Sequence, residues 1–477
     1  MPSEFPRNNS NPDCLGLASI LMLVALVGCG LTTTSYLDAS EKNFGVDVTW
    51  YQSDLRIYHA ALLSDRGLGL RFPGYVVGVE NIHPSSAAQK DLPADQRKEH
   101  HAITHIIRYE KEAEPSAAQP LTSCVVYTML NRQSNSVDDG HHLFETCKRN
   151  PAGEPLGLLE QSLAADFKSN EYSHVLIIVL GWNTDQEKAI KNINSLVGHL
   201  LDEATTRKIS ADRFRPLVIG VTWPSQWQLG EWSVVPDSIV RGLSFRNKAL
   251  DSQDVGLNIV RPLAQMVLSA RKGDGQSGPV KSPTLVLLGH SFGARALVTA
   301  MTGPPGEQLG PLEGFAARDR LILMEGAFEI THLFQPGGGL LESFKTGAPR
   351  LTMTSSAYDS AVAAAFWGWY AGDIRSFNEI CRMSVERSDR LGIDVSKVGC
   401  AVPPPGSAFG FNLCDPTYAD MKPPPPMPNS RDFANSPVRY YDASSLINCQ
   451  QPFTSGGAHS DIYRRETARF LLNEIMN

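Results

Sequence analysis

The chain reads as an α/β protein with a mostly parallel central sheet and helices on both faces, and three observations predict it. From residue 174 onward, short apolar runs alternate with amphipathic segments, the pattern of successive βα units. The clearest of these runs, residues 175–180 (VLIIVL), is apolar without interruption rather than at every second position. A strand covered on both faces requires that composition. A length of 477 residues with 42% hydrophobic content is enough for one large core plus an appended region or insertion.

After the strand at 175–180, Thr184 and Glu187 have capping-box spacing, and Ile190, Ile193, Val197 and Leu200 recur at helical intervals. A second strand is predicted at 216–221, followed by a long helix marked by Val255, Ile259, Leu263 and Val267, with Pro262 inside it predicting a kink or break. Further strands are predicted at 284–288, 321–324, 351–354 and 438–441, with a helix over 293–301. A terminal helix carries Tyr463, Phe470, Leu471 and Ile475. Between 371 and 437 the alternation stops, and the proline runs 403–405 and 423–426 appear. That segment is expected to be an insertion pinned by disulfides and stiffened by its prolines, lying either as a cap over the carboxyl edge of the sheet or as a mobile surface loop with no role at the site. Residues 43–170 are mixed and polar, strand-like at 121–130, and carry no motif that points to chemistry.

The amino terminus has the pattern of an export signal. Residues 15–27 form an apolar run of thirteen, too short to span a bilayer and suited to a signal-peptide core. The run Leu26-Val27-Gly28-Cys29 resembles a bacterial lipobox, which implies acylation of Cys29 and a mature chain beginning there, although Glu4 and Asp13 depart from the usual positive flank. The expected organisation is a lipoprotein signal peptide at 1–28, an N-terminal region at 29–170 and an α/β domain at 171–477. The expected location is the bacterial cell envelope, with a lipid anchor in the membrane. With Cys14 removed and Cys29 lipidated, Cys124, Cys147, Cys381, Cys400, Cys414 and Cys449 remain, an even number that fits disulfide bonding in an oxidising compartment. Pairing of neighbours would give Cys124–Cys147, Cys381–Cys400 and Cys414–Cys449, one of fifteen connectivities.

The formal charge of −7 and the lack of a basic run with interleaved aromatics argue against nucleic acid as a partner. His100, His101 and His105 have no carboxylate spaced to complete a metal site and are expected to be solvated. No metal and no cofactor is implied.

Gly289-His290-Ser291-Phe292-Gly293 matches G-x-S-x-G, which arises by chance in about one chain in six of this size. Context strengthens the match, because an apolar strand runs straight into Gly289 and a helix-forming segment starts at Gly293. A nucleophile elbow needs this strand-turn-helix layout, with small residues two positions either side of a strained serine. Ser291 is therefore the candidate nucleophile, and it needs a base and an acid to orient that base. In such enzymes the chain order is serine, acid, histidine. Of twelve histidines only His332 and His459 follow Ser291, and His459 lies in the glycine-containing loop before the last helix. His459 is the candidate base. For the acid, Asp359 follows the 351–354 strand through a short loop, Glu325 ends the preceding strand as the rival, and Asp442 is a third choice. The backbone N–H of Phe292, with a second donor from the loop holding Gly181-Trp182-Asn183, would form the oxyanion hole, and Trp182 is the candidate second donor.

These residues resemble the α/β-hydrolase superfamily of serine esterases and lipases over about 174–477. More narrowly they are similar to a bacterial branch marked by Gly181-Trp182-Asn183, Trp223-Pro224-Ser225 and the Gly-His-Ser-x-Gly elbow. That branch often has a histidine before the oxyanion-loop glycine, where Leu180 stands here. The resemblance implies a carboxylic ester hydrolase that forms an acyl-enzyme on Ser291, with a small-molecule or lipid ester as substrate. An acyltransferase or thioesterase with the same triad, and a non-catalytic envelope-binding lipoprotein on the same fold, are the alternatives.

Overall fold

A computed structural model of the chain describes residues 72–82, 93, 100–110, 122–128, 145–146, 155–168, 172–181, 186–223, 225, 248–271, 282–304, 309–310, 312–328, 340, 350–356, 359, 361, 381, 398–401, 436–447 and 459–476. Within them lie eleven strands of one sheet. They are β1 (Gly74–Ile82), β2 (His100–Glu110), β3 (Thr122–Thr128), β4 (Glu145–Thr146), β5 (His174–Val179), β6 (Pro216–Thr222), β7 (Thr284–His290), β8 (Arg320–Met324), β9 (Arg350–Ser355), β10 (Val398–Ala401) and β11 (Val438–Asp442). The order across the sheet is β10-β11-β9-β8-β7-β5-β6-β1-β2-β3-β4. Every pairing from β10 to β1 is parallel, and β2 is antiparallel to both β1 and β3.

Helices cover both faces. Along β5, Val175, Ile177 and Val179 point into a core shared with α1 (Pro155–Lys168), α3 (Arg261–Ala270) and α4 (Phe292–Thr302). Leu176, Ile178 and Leu180 point the other way, against α2 (Gln186–Thr206) and α5 (Arg465–Met476). Burial on both sides is why β5 carries no polar residue between Val175 and Val179, all fully buried. Among the described residues, no helix is long and apolar enough to cross a membrane.

The predicted strands from 175 to 441 recur within two residues at each end. The region before residue 170 adds four strands at one edge of the same sheet and the helix α1. Asp166 pins α1 there, accepting from the Tyr75 hydroxyl on β1 at 2.5 Å and from Arg108 on β2 at 2.6 Å. His101 is not solvated: it is buried in β2, with Nδ1 2.6 Å from Asp254 Oδ2. Among the described residues no group of histidines, cysteines and carboxylates is arranged to hold a metal ion.

Pro262 acts where the sequence placed it. It cannot donate to the carbonyl four residues back, and the helix before it widens into a π-turn over Gly256–Val260. Gly256 in that turn crosses α4 so closely that a Cβ would lie 2.3 Å from Ala296 O. In the insertion, Cys381 and Cys400 form a disulfide that ties β10 to the preceding chain. Cys147, Cys414, Cys449, the side chain of Cys124, the signal segment with Cys29, and His332 lie outside the described residues.

Candidate active site

α2, next after β5, and α4, next after β7, pack on opposite faces of the sheet, which makes the carboxyl ends of these two strands a topological switch point. Open α/β sheets place ligands at such a switch point. Ser291 occupies it, between the end of β7 and the first residue of α4, with φ 57° and ψ −123°. This is a backbone region that side-chain-bearing residues avoid, and its cost is sustained by the surroundings. The Ser291 N–H donates to Met324 O at 3.1 Å, and Ser291 O accepts from Ala294 N–H at 3.0 Å and Ala327 N–H at 3.1 Å.

The small residues flanking Ser291 are dictated by space. A Cβ on Gly293 would sit 2.0 Å from Val179 O, and one on Gly289 would sit 2.7 Å from the Ala294 Cα. Gly181, just beyond the end of β5, faces Ser291 itself, since a Cβ there would fall 2.3 Å from Ser291 Cβ and 2.8 Å from its Oγ. The backbone just before Gly181 is anchored by the buried Trp223, whose indole N–H donates to Leu180 O at 2.8 Å. Phe292 opens α4, the end of the helix where partial positive charge gathers. Trp182 lies outside the described residues.

His459 and Asp359 meet although a hundred residues separate them. His459 Nδ1 lies 2.7 Å from Asp359 Oδ2, and the other carboxylate oxygen accepts from Ala361 N–H at 3.0 Å. The side chain of Asp359 is 3% exposed and that of His459 14%, so a buried acid backs a partly exposed imidazole. A carboxylate on Nδ1 selects the Nδ1–H tautomer and leaves Nε2 as the basic nitrogen.

His290 holds His459 in place. Its Nε2–H donates to the backbone carbonyl of His459 at 2.9 Å, and the two rings pack 4.7 Å apart. Burial pushes the His290 imidazole down to about 3, with the neighbouring His459 adding to the shift, so it stays neutral and serves as a fixed donor.

Glu325 and Asp442, the other candidate acids, stand differently. Asp442 accepts from the Ser444 N–H and hydroxyl and caps the short turn after β11. Glu325 is fully buried at the end of β8, with φ 44°. It accepts from Ser356 N–H at 2.9 Å and the Thr354 hydroxyl at 3.1 Å, and it hydrogen-bonds the side chain of Asp359. Its proton is held well above the usual carboxylate range, by burial first and by the Asp359 charge second.

The sequence did not single out His290, Trp223 or Gly181 for these positioning roles. The signal for His290 was its place beside Ser291, but its partner lies 169 residues away.

Comparison with protein-family models, with curated proteins and with solved structures gives no match.

Proposed function

We propose that the chain is a serine hydrolase of the α/β-hydrolase type, acting on carboxylic esters from a lipid anchor in the bacterial cell envelope. The observation that carries the reading is the Asp359–His459 hydrogen bond, on the same sheet edge as a strained Ser291 between a parallel strand and a helix. Ser291, Glu325, Asp359 and His459 follow β7, β8, β9 and β11, four neighbouring strands, and the order serine, acid, histidine is that of α/β-hydrolases. The Cys381–Cys400 disulfide supports an oxidising compartment, and the Leu26-Val27-Gly28-Cys29 run supports the anchor.

In this reading Ser291 Oγ attacks the ester carbonyl while His459 Nε2 takes its proton. Asp359 orients the imidazole and stabilises its charged form. The Phe292 N–H, with a second backbone donor from the segment that follows β5, would stabilise the oxyanion. His459 returns the proton to the leaving alkoxide, and water hydrolyses the acyl-enzyme by the same steps in reverse roles. The test is labelling of the folded protein with a fluorophosphonate probe, with the modified residue mapped by mass spectrometry. Labelling at Ser291, lost in Ser291→Ala together with hydrolysis of short p-nitrophenyl esters, is expected. A folded wild-type chain that takes no label rejects the assignment.

A further inference from the structure

Two carboxyl groups in hydrogen-bond contact cannot both carry charge in a buried site, because each would face a like charge without water to screen it. Asp359 and Glu325 are such a pair, 2% and 0% exposed, at the ends of adjacent strands. The partners decide where the proton sits. Asp359 accepts from the imidazole of His459, a bond that strengthens when the ring becomes positive during catalysis. Among the described residues, Glu325 bonds the neutral Ser356 N–H and Thr354 hydroxyl besides Asp359 itself.

We propose that Glu325 is a neutral carboxylic acid that donates a hydrogen bond to Asp359 and so fixes the carboxylate that orients His459, making it a positioning residue one step behind the triad. The inference rests on the triad reading above. Its geometry is over-determined from both sides. The Ser356 N–H and Thr354 hydroxyl hold the Glu325 carboxyl, and the Glu325 N–H donates to Thr354 Oγ1 at 3.3 Å. The backbone around Glu325 also carries the site, because Met324 O accepts from the Ser291 N–H and Ala327 N–H donates to Ser291 O. One strand end therefore shapes the nucleophile turn through its backbone and the acid through its side chain.

Glutamine at this position mimics the neutral acid. Its amide oxygen can accept from Ser356 and its amide nitrogen can donate to Asp359, with the rotatable Thr354 hydroxyl turning to accept. Leucine fills similar space and donates nothing.

The experiment uses the full chain and compares wild type, Glu325→Gln, Glu325→Leu and Ser291→Ala. It measures p-nitrophenyl butyrate hydrolysis, the rate of fluorophosphonate labelling, and the downfield proton NMR resonance of the His459 Nδ1–H. The expected result is that Glu325→Gln keeps kcat and labelling rate within about threefold of wild type with the resonance in place. Glu325→Leu loses at least tenfold in kcat with little change in KM, and the resonance shifts or broadens. A tenfold or greater loss in Glu325→Gln overturns the proposal even if the leucine variant does not fold, and so does full activity in a folded Glu325→Leu. If Ser291→Ala hydrolyses and labels like wild type, the triad reading fails and takes this inference with it. If Ser291→Ala is inactive and Glu325→Gln is also impaired, the Glu325 proposal alone fails.

Discussion

The Asp359 carboxylate lies 2.7 Å from His459 Nδ1, and Ala361 N–H fixes its second oxygen. Replacing Asp359 by Asn keeps the shape but presents an amide N–H or a weaker acceptor to the imidazole, so the ring adopts the wrong tautomer. Asp359→Asn is expected to lower kcat by about 10³–10⁴-fold with little change in folding stability. Steady-state kinetics beside a urea denaturation curve checks both halves, and activity near that of wild type would remove Asp359 from the triad.

The neutral imidazole of His290 donates to His459 O, so its loss should loosen the placement of His459. His290→Ala is expected to slow fluorophosphonate labelling of Ser291 by about tenfold or more, since small displacements of a catalytic group are costly. Labelling at the wild-type rate would show that His459 holds its place without this bond.

Gly181 and Gly256 separate a glycine that faces Ser291 from a glycine packed between helices. A methyl on Gly181 would meet the Ser291 Oγ at 2.8 Å, whereas one on Gly256 would meet Ala296 O at 2.3 Å. Gly181→Ala should cost about a hundredfold in kcat/KM through displacement of the nucleophile or the facing turn. Gly256→Ala should instead lose about 1–3 kcal/mol of stability as the two helices are forced apart, with activity kept while the protein is folded. Thermal unfolding and kinetics on both variants distinguish the two patterns.

The Cys381–Cys400 bridge closes a loop of nineteen residues in sequence separation and secures the edge strand β10. In the chain-entropy account a loop of that size is worth about 3 kcal/mol. The double variant Cys381→Ala/Cys400→Ala should unfold at correspondingly lower urea, and reductant should shift the wild type toward it. Equal midpoints with and without reductant would show that the bridge contributes nothing.

The sequence showed most of what is buried on both faces and little of what depends on register. The central strands β5, β7 and β8 are legible because burial on both faces leaves mostly apolar residues, as in Val175 to Val179. β2 is not, because it mixes His101, whose partner Asp254 is 153 residues away, with the alternating residues of an antiparallel strand. β10 is not legible either, because it is four residues long inside an insertion and, among the described residues, pairs only with β11. At the site, Ser291, Asp359 and His459 could be singled out as candidates from motif and chain order, and the structure brings Asp359 and His459 into contact. The contact between Glu325 and Asp359 could not be singled out, because it exists only when Met324 stands beside Thr354 across β8 and β9. Read singly, the two acids looked like rivals, and in space they are neighbours.

That contact also predicts how stability depends on pH. The folded state holds the Glu325 proton well above its ordinary range, while the unfolded chain releases it near the ordinary glutamate value of about 4.3. Between those values the folded state binds one proton more than the unfolded state, so the stability Glu325 permits is fully present below the unfolded value and is lost as pH rises toward the folded one. Glutamine has no proton to lose. Glu325→Gln should therefore gain stability relative to wild type as pH rises from 5.5 to 7.5, on the order of 1 kcal/mol per pH unit. Buried histidines such as His290 and His174, whose imidazoles are held low, push in the opposite direction, but they are common to both proteins and cancel in the difference. Urea denaturation of the two proteins at several pH values in that window measures the difference directly. A constant gap would mean that Glu325 is ionised in the folded protein, which would make it a second charge beside Asp359 rather than its donor.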